Sequence, residues 1–130
     1  MDISEVVPVT FKLPIKHPRT GNLIGLTIEL AGTNDDKFKA VERNVTDQVM
    51  KKRARGKVLT AEEIEENTER LISSTIVGWE WTADADGRKG SFGGEQLGFT
   101  PANVAKIVAV TWIRSQIDDA LAEQSHFFRS

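Results

Sequence analysis

At 130 residues, with 39% hydrophobic and 28% charged side chains, the chain has the size and composition of one folded domain. Its 17 Lys and Arg stand against 19 Asp and Glu, and the formal charge of −2 predicts no general affinity for nucleic acid or anionic membrane. The absence of cysteine excludes disulfides, thiolate metal sites and cysteine nucleophiles, and is compatible with a reducing compartment.

The opening segment MDISEVVPVTFKLPIK has no basic stretch followed by an unbroken apolar run, so no signal peptide is expected. No apolar stretch approaches the roughly 20 residues that span a bilayer, and the expected location is the cytoplasm. Residues 1–5 are read as a loose terminus. From Val7 the apolar residues alternate through Val9, Phe11, Leu13 and Ile15, with Thr10 and Lys12 on the other side. Period-two alternation predicts a half-buried strand, and Pro8 and Pro14 point to an edge strand or to a strand shorter than the pattern. His17-Pro18-Arg19-Thr20-Gly21-Asn22 is the turn. A second strand follows with Ile24, Leu26, Ile28 and Leu30 on one face. The β-hairpin is expected over residues 6–31, and its apolar face needs a helical cover.

Thr33, Asn34 and Asp35 are candidate caps for a helix over residues 35–55, with a thin stripe of Phe38, Val41, Val45 and Val49. Lys51-Lys52-Arg53-Ala54-Arg55-Gly56 is its stop signal. Thr60-Ala61-Glu62-Glu63 then reads as a capping box opening a helix over residues 60–77, with Ile64, Leu71, Ile72 and Ile76 as its stripe. In an antiparallel helical hairpin the acidic start of this second helix faces the basic end of the first. Each exposed pair of that kind contributes only about 0–1 kcal/mol, so its expected use is to fix the pairing.

Gly78-Trp79-Glu80-Trp81 leads into a polar, glycine-rich loop over residues 82–96, which is expected to be mobile. Phe92, Leu97 and Phe99 are expected to anchor its far end. Thr100 and Pro101 then start the most apolar helix, over residues 101–124. Its apolar face rotates near residues 108–111, which marks a break. Neither half of the chain looks able to bury a core alone, so one α+β domain is expected: an N-terminal β-hairpin followed by a mainly α-helical body.

Little of this supports catalysis. Asp84-Ala85-Asp86-Gly87 lacks most of a calcium loop and reads as a solvated turn. His17 and His126 have no framed nucleophile, and His17 reads as a turn residue. Asp118 and Asp119 are helix neighbours that point in different directions. The glycines of SFGGEQLG match no phosphate-loop spacing. No catalytic, cofactor or metal site is predicted. The run from Lys51 to Lys57 is the strongest case for nucleic-acid contact, but the glutamates downstream offset it. Phe127 and Phe128 either dock back onto the sheet or are offered to a partner.

Taken in order, these features resemble a family. They are the His17-Pro18-x-Thr20-Gly21 turn, the Gly32-Thr33-Asn34-Asp35-Asp36 helix start with Phe38, and the basic-to-acidic helical pair. Gly78-Trp79, the helix around Asn103, Trp112-Ile113-Arg114-x-Gln116-Ile117-Asp118 and the closing Phe127-Phe128 follow. The order is similar, over nearly the whole chain, to the tail assembly chaperones of long non-contractile-tailed bacteriophages. Relatives often carry proline before the tryptophan, where this chain has Thr111.

The resemblance implies a non-enzymatic protein of the infected host cytoplasm, absent from the mature virion. It implies binding to the tape measure protein, which is kept soluble, and recruitment of tail tube protein, mainly through a longer form made by ribosomal frameshifting. The resemblance implies that this chain is the short form. A groove between the terminal helix and the helical pair is the candidate client site, lined by Trp112, Ile113, Ile117, Leu121, Phe127 and Phe128. The ordinary core reading weighs more for Ile113 and Ile117. Self-association is a further expectation, since multivalent contact raises avidity on a long client. The alternative is a small regulator that binds nucleic acid through the basic helix end at residues 51–57.

Overall fold

The computed structural model describes residues 10–32 and 36–129, with side chains through 123. Residues 1–9, and with them the expected strand start at Val7, Pro8 and Val9, lie outside the described residues. So do the caps Thr33, Asn34 and Asp35 and the side chains of His126, Phe127 and Phe128. The chain is α+β. Its elements run β1 (Thr10–Lys16), β2 (Leu23–Ala31), α1 (Asp36–Ala54), α2 (Ala61–Thr75), β3 (Ile76–Trp81), α3 (Pro101–Val108) and α4 (Thr111–Arg129).

The alternation in the first 31 residues produces the hairpin. Phe11 lies opposite Leu30 and Leu13 opposite Ile28, so the apolar side chains of both strands share one face. Lys12 and Glu29 pair on the other face. The turn closes through His17 N–H donating to the Asn22 carbonyl at 2.8 Å and Gly21 N–H to the His17 carbonyl at 2.9 Å. Gly21 takes a φ of 71°, which glycine adopts without a Cβ penalty. Pro14 sits on the edge strand, where a missing donor costs nothing.

The sheet has a third strand that the sequence reading missed. The helix expected to run to residue 77 stops at Thr75, and β3 pairs antiparallel with β2 in the order β1-β2-β3. Two local causes end the helix. The Ser74 and Thr75 hydroxyls bond back to the Leu71 and Ile72 carbonyls, each at 2.6 Å, competing with the helical ladder. Ile76, Val77 and the two tryptophans then prefer a pleated backbone. The register shifts between Glu29 and Leu30, which face Gly78 and Ile76, so Val77 is an extra, bulged residue. That bulge disrupts the period-two pattern and hides the strand.

α1 ends in a Schellman motif. Lys57 N–H reaches the Lys52 carbonyl and Gly56 N–H the Arg53 carbonyl, with Gly56 at φ 72°. The capping box of α2 is formed in both directions between Thr60 and Glu63. The long apolar run expected over residues 101–124 breaks where its apolar face rotates, into α3 and α4, and the second helix runs on to Arg129. Thr100 caps α3 on the Asn103 N–H, and the chain turns at Ala109 and Val110 before α4 begins. α3, α4 and the end of α2 cover the apolar face of the sheet. Ile15, Leu26, Ile28, Leu30, Ile76, Ile107, Val108, Ile113 and Ile117 form the driest part of this core. Each side chain of that size stabilises the fold by about 1.5–3 kcal/mol relative to exposure.

Candidate functional site

α2 is the spine of the helical layer. On a helix, residues three and four apart are neighbours, so Glu63, Asn67, Arg70 and Ser74 form one row. Glu63 meets Lys52, and Arg70 donates to the Asn44 side chain at 2.9 Å, so this row faces α1. Within it Asn67 is buried, and its side-chain N–H group has no hydrogen-bond partner. Such a group costs about 1–3 kcal/mol. The flank of α2 bearing Glu65 and Glu69 is turned instead to α4, where Arg114 grips both carboxylates at 3.3 and 2.9 Å.

Two grooves run along α2 because α1 packs on it loosely. No residue of α1 is buried; Phe38, Val41, Val45 and Val49 are half-covered. The larger groove, about 580 Å³, lies between α1 and α3. Val41, Ile76, Phe99, Pro101 and Val104 give it an apolar lining, while Lys37, Glu66, Glu69 and Arg70 stand at its rim. The smaller, about 280 Å³, lies between α1 and α4 and is lined by Phe38, Leu71, Ile72, Asp118 and Leu121.

Of the six candidate site residues, four have described side chains: Ile113, Ile117 and Leu121 lie together, and Trp112 lies apart from them. Ile113, Ile117 and Leu121 are 2%, 0% and 6% exposed and belong to the core under the sheet. Leu121 alone of them reaches the groove between α4 and the helical pair. Trp112 points the other way, with its ring 6.0 Å from His17 at a tilted angle. There it joins Ile24, Leu26, Trp81, Phe92 and Val110 around a cavity of about 360 Å³. Phe127 and Phe128 lie on the last turns of α4, and their side chains lie outside the described residues. The groove residues missed from sequence come from α1, α2, β3 and α3. Phe38 and Val41 carried the one usable signal, a stripe too thin for a buried helix.

The Trp112–Asp118 segment resolves into structural ties. Gln116 treats the end of β1 as a strand partner: its amide N–H donates to the Lys16 carbonyl at 2.8 Å, and its side-chain oxygen accepts from Lys16 N–H at 2.9 Å. Arg114 makes the tie to α2, and Ile113 and Ile117 fill the space between.

The segment after β3 is held at both ends. Its first part lies flush on β2: Thr82 N–H bonds to the Gly25 carbonyl, and Gly90 N–H to the Thr82 carbonyl. A Cβ on Gly90 would stand 2.5 Å from the Ile24 carbonyl oxygen, so only glycine permits this approach. At the far end the indole N–H groups of Trp79 and Trp81 both donate to the Leu97 carbonyl, at 2.8 and 2.9 Å. Phe99 meets Trp79 edge-on at 5.2 Å.

The polar motifs have local roles. Asp84 accepts from the backbone N–H groups of Asp86 and Arg88 at 2.9 Å each, closing its own turn. The His17 ring nitrogen accepts from Arg19 N–H at 3.1 Å. Lys52 pairs with Glu63, and this contact, helped by the Thr60 backbone N–H, holds the Glu63 carboxyl below the usual glutamate range. Lys51, Arg53, Arg55 and Lys57 are exposed around the end of α1. Among the described residues no group of three or more acidic or His side chains is arranged to hold a metal, and no helix is long and apolar enough to cross a membrane. Known protein families, characterised proteins and solved structures yield no match to this chain.

Proposed function

We propose that this protein is a phage tail assembly chaperone that binds the tape measure protein through apolar grooves along α2. The observation that carries this reading is the larger groove, an apolar trough between α1 and α3 with charges at its rim. A tape measure segment is a long amphipathic helix with exposed apolar surface, and such a helix requires a partner of that shape and chemistry. The order of motifs along the chain, from the His17 turn to Phe127 and Phe128, supports the same reading. The action is binding rather than catalysis. It takes place in the host cytoplasm, with tail tube subunits recruited mainly by a frameshifted longer form and the chaperone shed before the virion is complete. Self-association would extend contact along the client.

The basic end of α1 gives a weaker basis for nucleic-acid binding. Lys52, in the middle of the run, is engaged by Glu63, and the chain as a whole is acidic. Co-expression tests the chaperone reading. A tape measure fragment is expected to stay in the soluble fraction with this protein and to pellet without it. Equal pelleting in both cases would remove the reading.

A further inference from the structure

We infer that α1 is a displaceable helix, and that its seat on α2 is where the client's amphipathic helix docks. The identity of the client rests on the chaperone reading above. Four observations meet here. α1 is 19 residues long, yet none of its residues is buried. Its principal partner is α2. The row of α2 beneath it is polar, with Lys52–Glu63 and Arg70–Asn44 as its ties. Asn67, in the middle of that row, is 6% exposed with its amide N–H group unsatisfied.

α1 also forms a wall of both grooves, and α2 residues line each of them. Lifting α1 therefore merges the two into one trough along α2, with Val104 on one side and Leu121 on the other. α1 itself shows what fits the seat: a helix with an apolar stripe spaced like Phe38, Val41, Val45 and Val49. A client helix that adds an acceptor such as Gln, Asp or Glu opposite Asn67 satisfies the amide that α1 leaves orphaned. The exchange is then favourable for the right client, while α1 shields the trough in the free protein.

Hydrogen exchange on the full chain tests this. In the free protein the amides of α1 should exchange by local opening, about 100-fold faster than those around Ile113 and Ile117. Equal protection in α1 and α4 would overturn the inference. Adding a soluble tape measure segment should deprotect α1 and protect residues 63–74. A segment that binds while leaving α1 protection unchanged docks elsewhere, and that result defeats the seat without touching the chaperone reading. A segment that fails to bind at all defeats both. Two variants move the latch in opposite directions. Asn67→Leu removes the orphaned amide, and should slow α1 exchange and weaken segment binding about 10-fold. Val45→Asp should speed α1 exchange and strengthen binding. A purely structural α1 would lose binding in Val45→Asp, and that outcome rejects the displacement.

Discussion

α1 and α4 have the same length, 19 residues, and both carry an apolar stripe, yet they are held in different ways. α4 lies between the sheet and α2. It buries Ile113, Ile117 and Leu121, and polar ties reach β1 through Gln116 and α2 through Arg114. α1 has one principal neighbour and no fully buried residue, and Lys52 and Asn44 are among its ties. Amphipathicity alone therefore does not decide how firmly a helix is bound. The second layer does, because a stripe contributes fully only when both of its flanks meet apolar surface.

The largest test of that contrast is a matched pair of truncations. Ile117→Ala empties a fully buried site and should cost about 2–5 kcal/mol in chemical denaturation. Val45→Ala removes atoms from a half-covered site and should cost about 1 kcal/mol or less. Equal losses would mean that α1 is as integral to the fold as α4.

A smaller effect sharpens the comparison through the polar ties. Gln116→Ala deletes both hydrogen bonds to the Lys16 backbone and should cost about 1–2 kcal/mol. Asn44→Ala removes one exposed contact to Arg70 and should cost about 0–0.5 kcal/mol. If the two variants melt alike, the side-chain pairing of α4 with β1 is not a real stabiliser.

The hairpin was legible because Phe11, Leu13, Leu26 and Ile28 alternate without interruption and the turn residues are unambiguous. The capping box at Thr60 and Glu63 and the start at Thr100 and Pro101 were legible for the same reason: the chemistry is local. β3 was not, since the bulge at Val77 breaks its alternation and its partner is β2, more than forty residues back in the chain. The site was harder still. Ile113, Ile117 and Leu121 have a spacing that serves a core and a groove equally, and the packing of the sheet decides between them. The larger groove draws Val41, Ile76, Phe99 and Val104 from separate elements, so no spacing in the chain announces it. Asn67 looks like any polar helix residue until α1 closes over it.

The smallest expected effect is electrostatic and concerns the tip of α1. Lys52 and the Thr60 backbone N–H hold the Glu63 carboxyl below the ordinary glutamate range. A carboxyl of this kind binds fewer protons folded than unfolded, so its contribution is present above the ordinary range and fades as the pH falls through the lowered folded value. Glu63→Gln keeps a side chain that completes a capping box but lacks the charge that Lys52 meets. At neutral pH this variant should melt slightly below the parent chain, and the two melting curves should converge as the pH drops below the ordinary glutamate range. Hydrogen exchange should place the loss in α1, since Glu63 is the carboxylate that joins the end of α1 to the start of α2. A constant offset between the two proteins at every pH would mean that the ion pair with Lys52 does not hold the helices together, and that α1 depends on its half-covered stripe and its other polar contacts, such as Asn44 with Arg70.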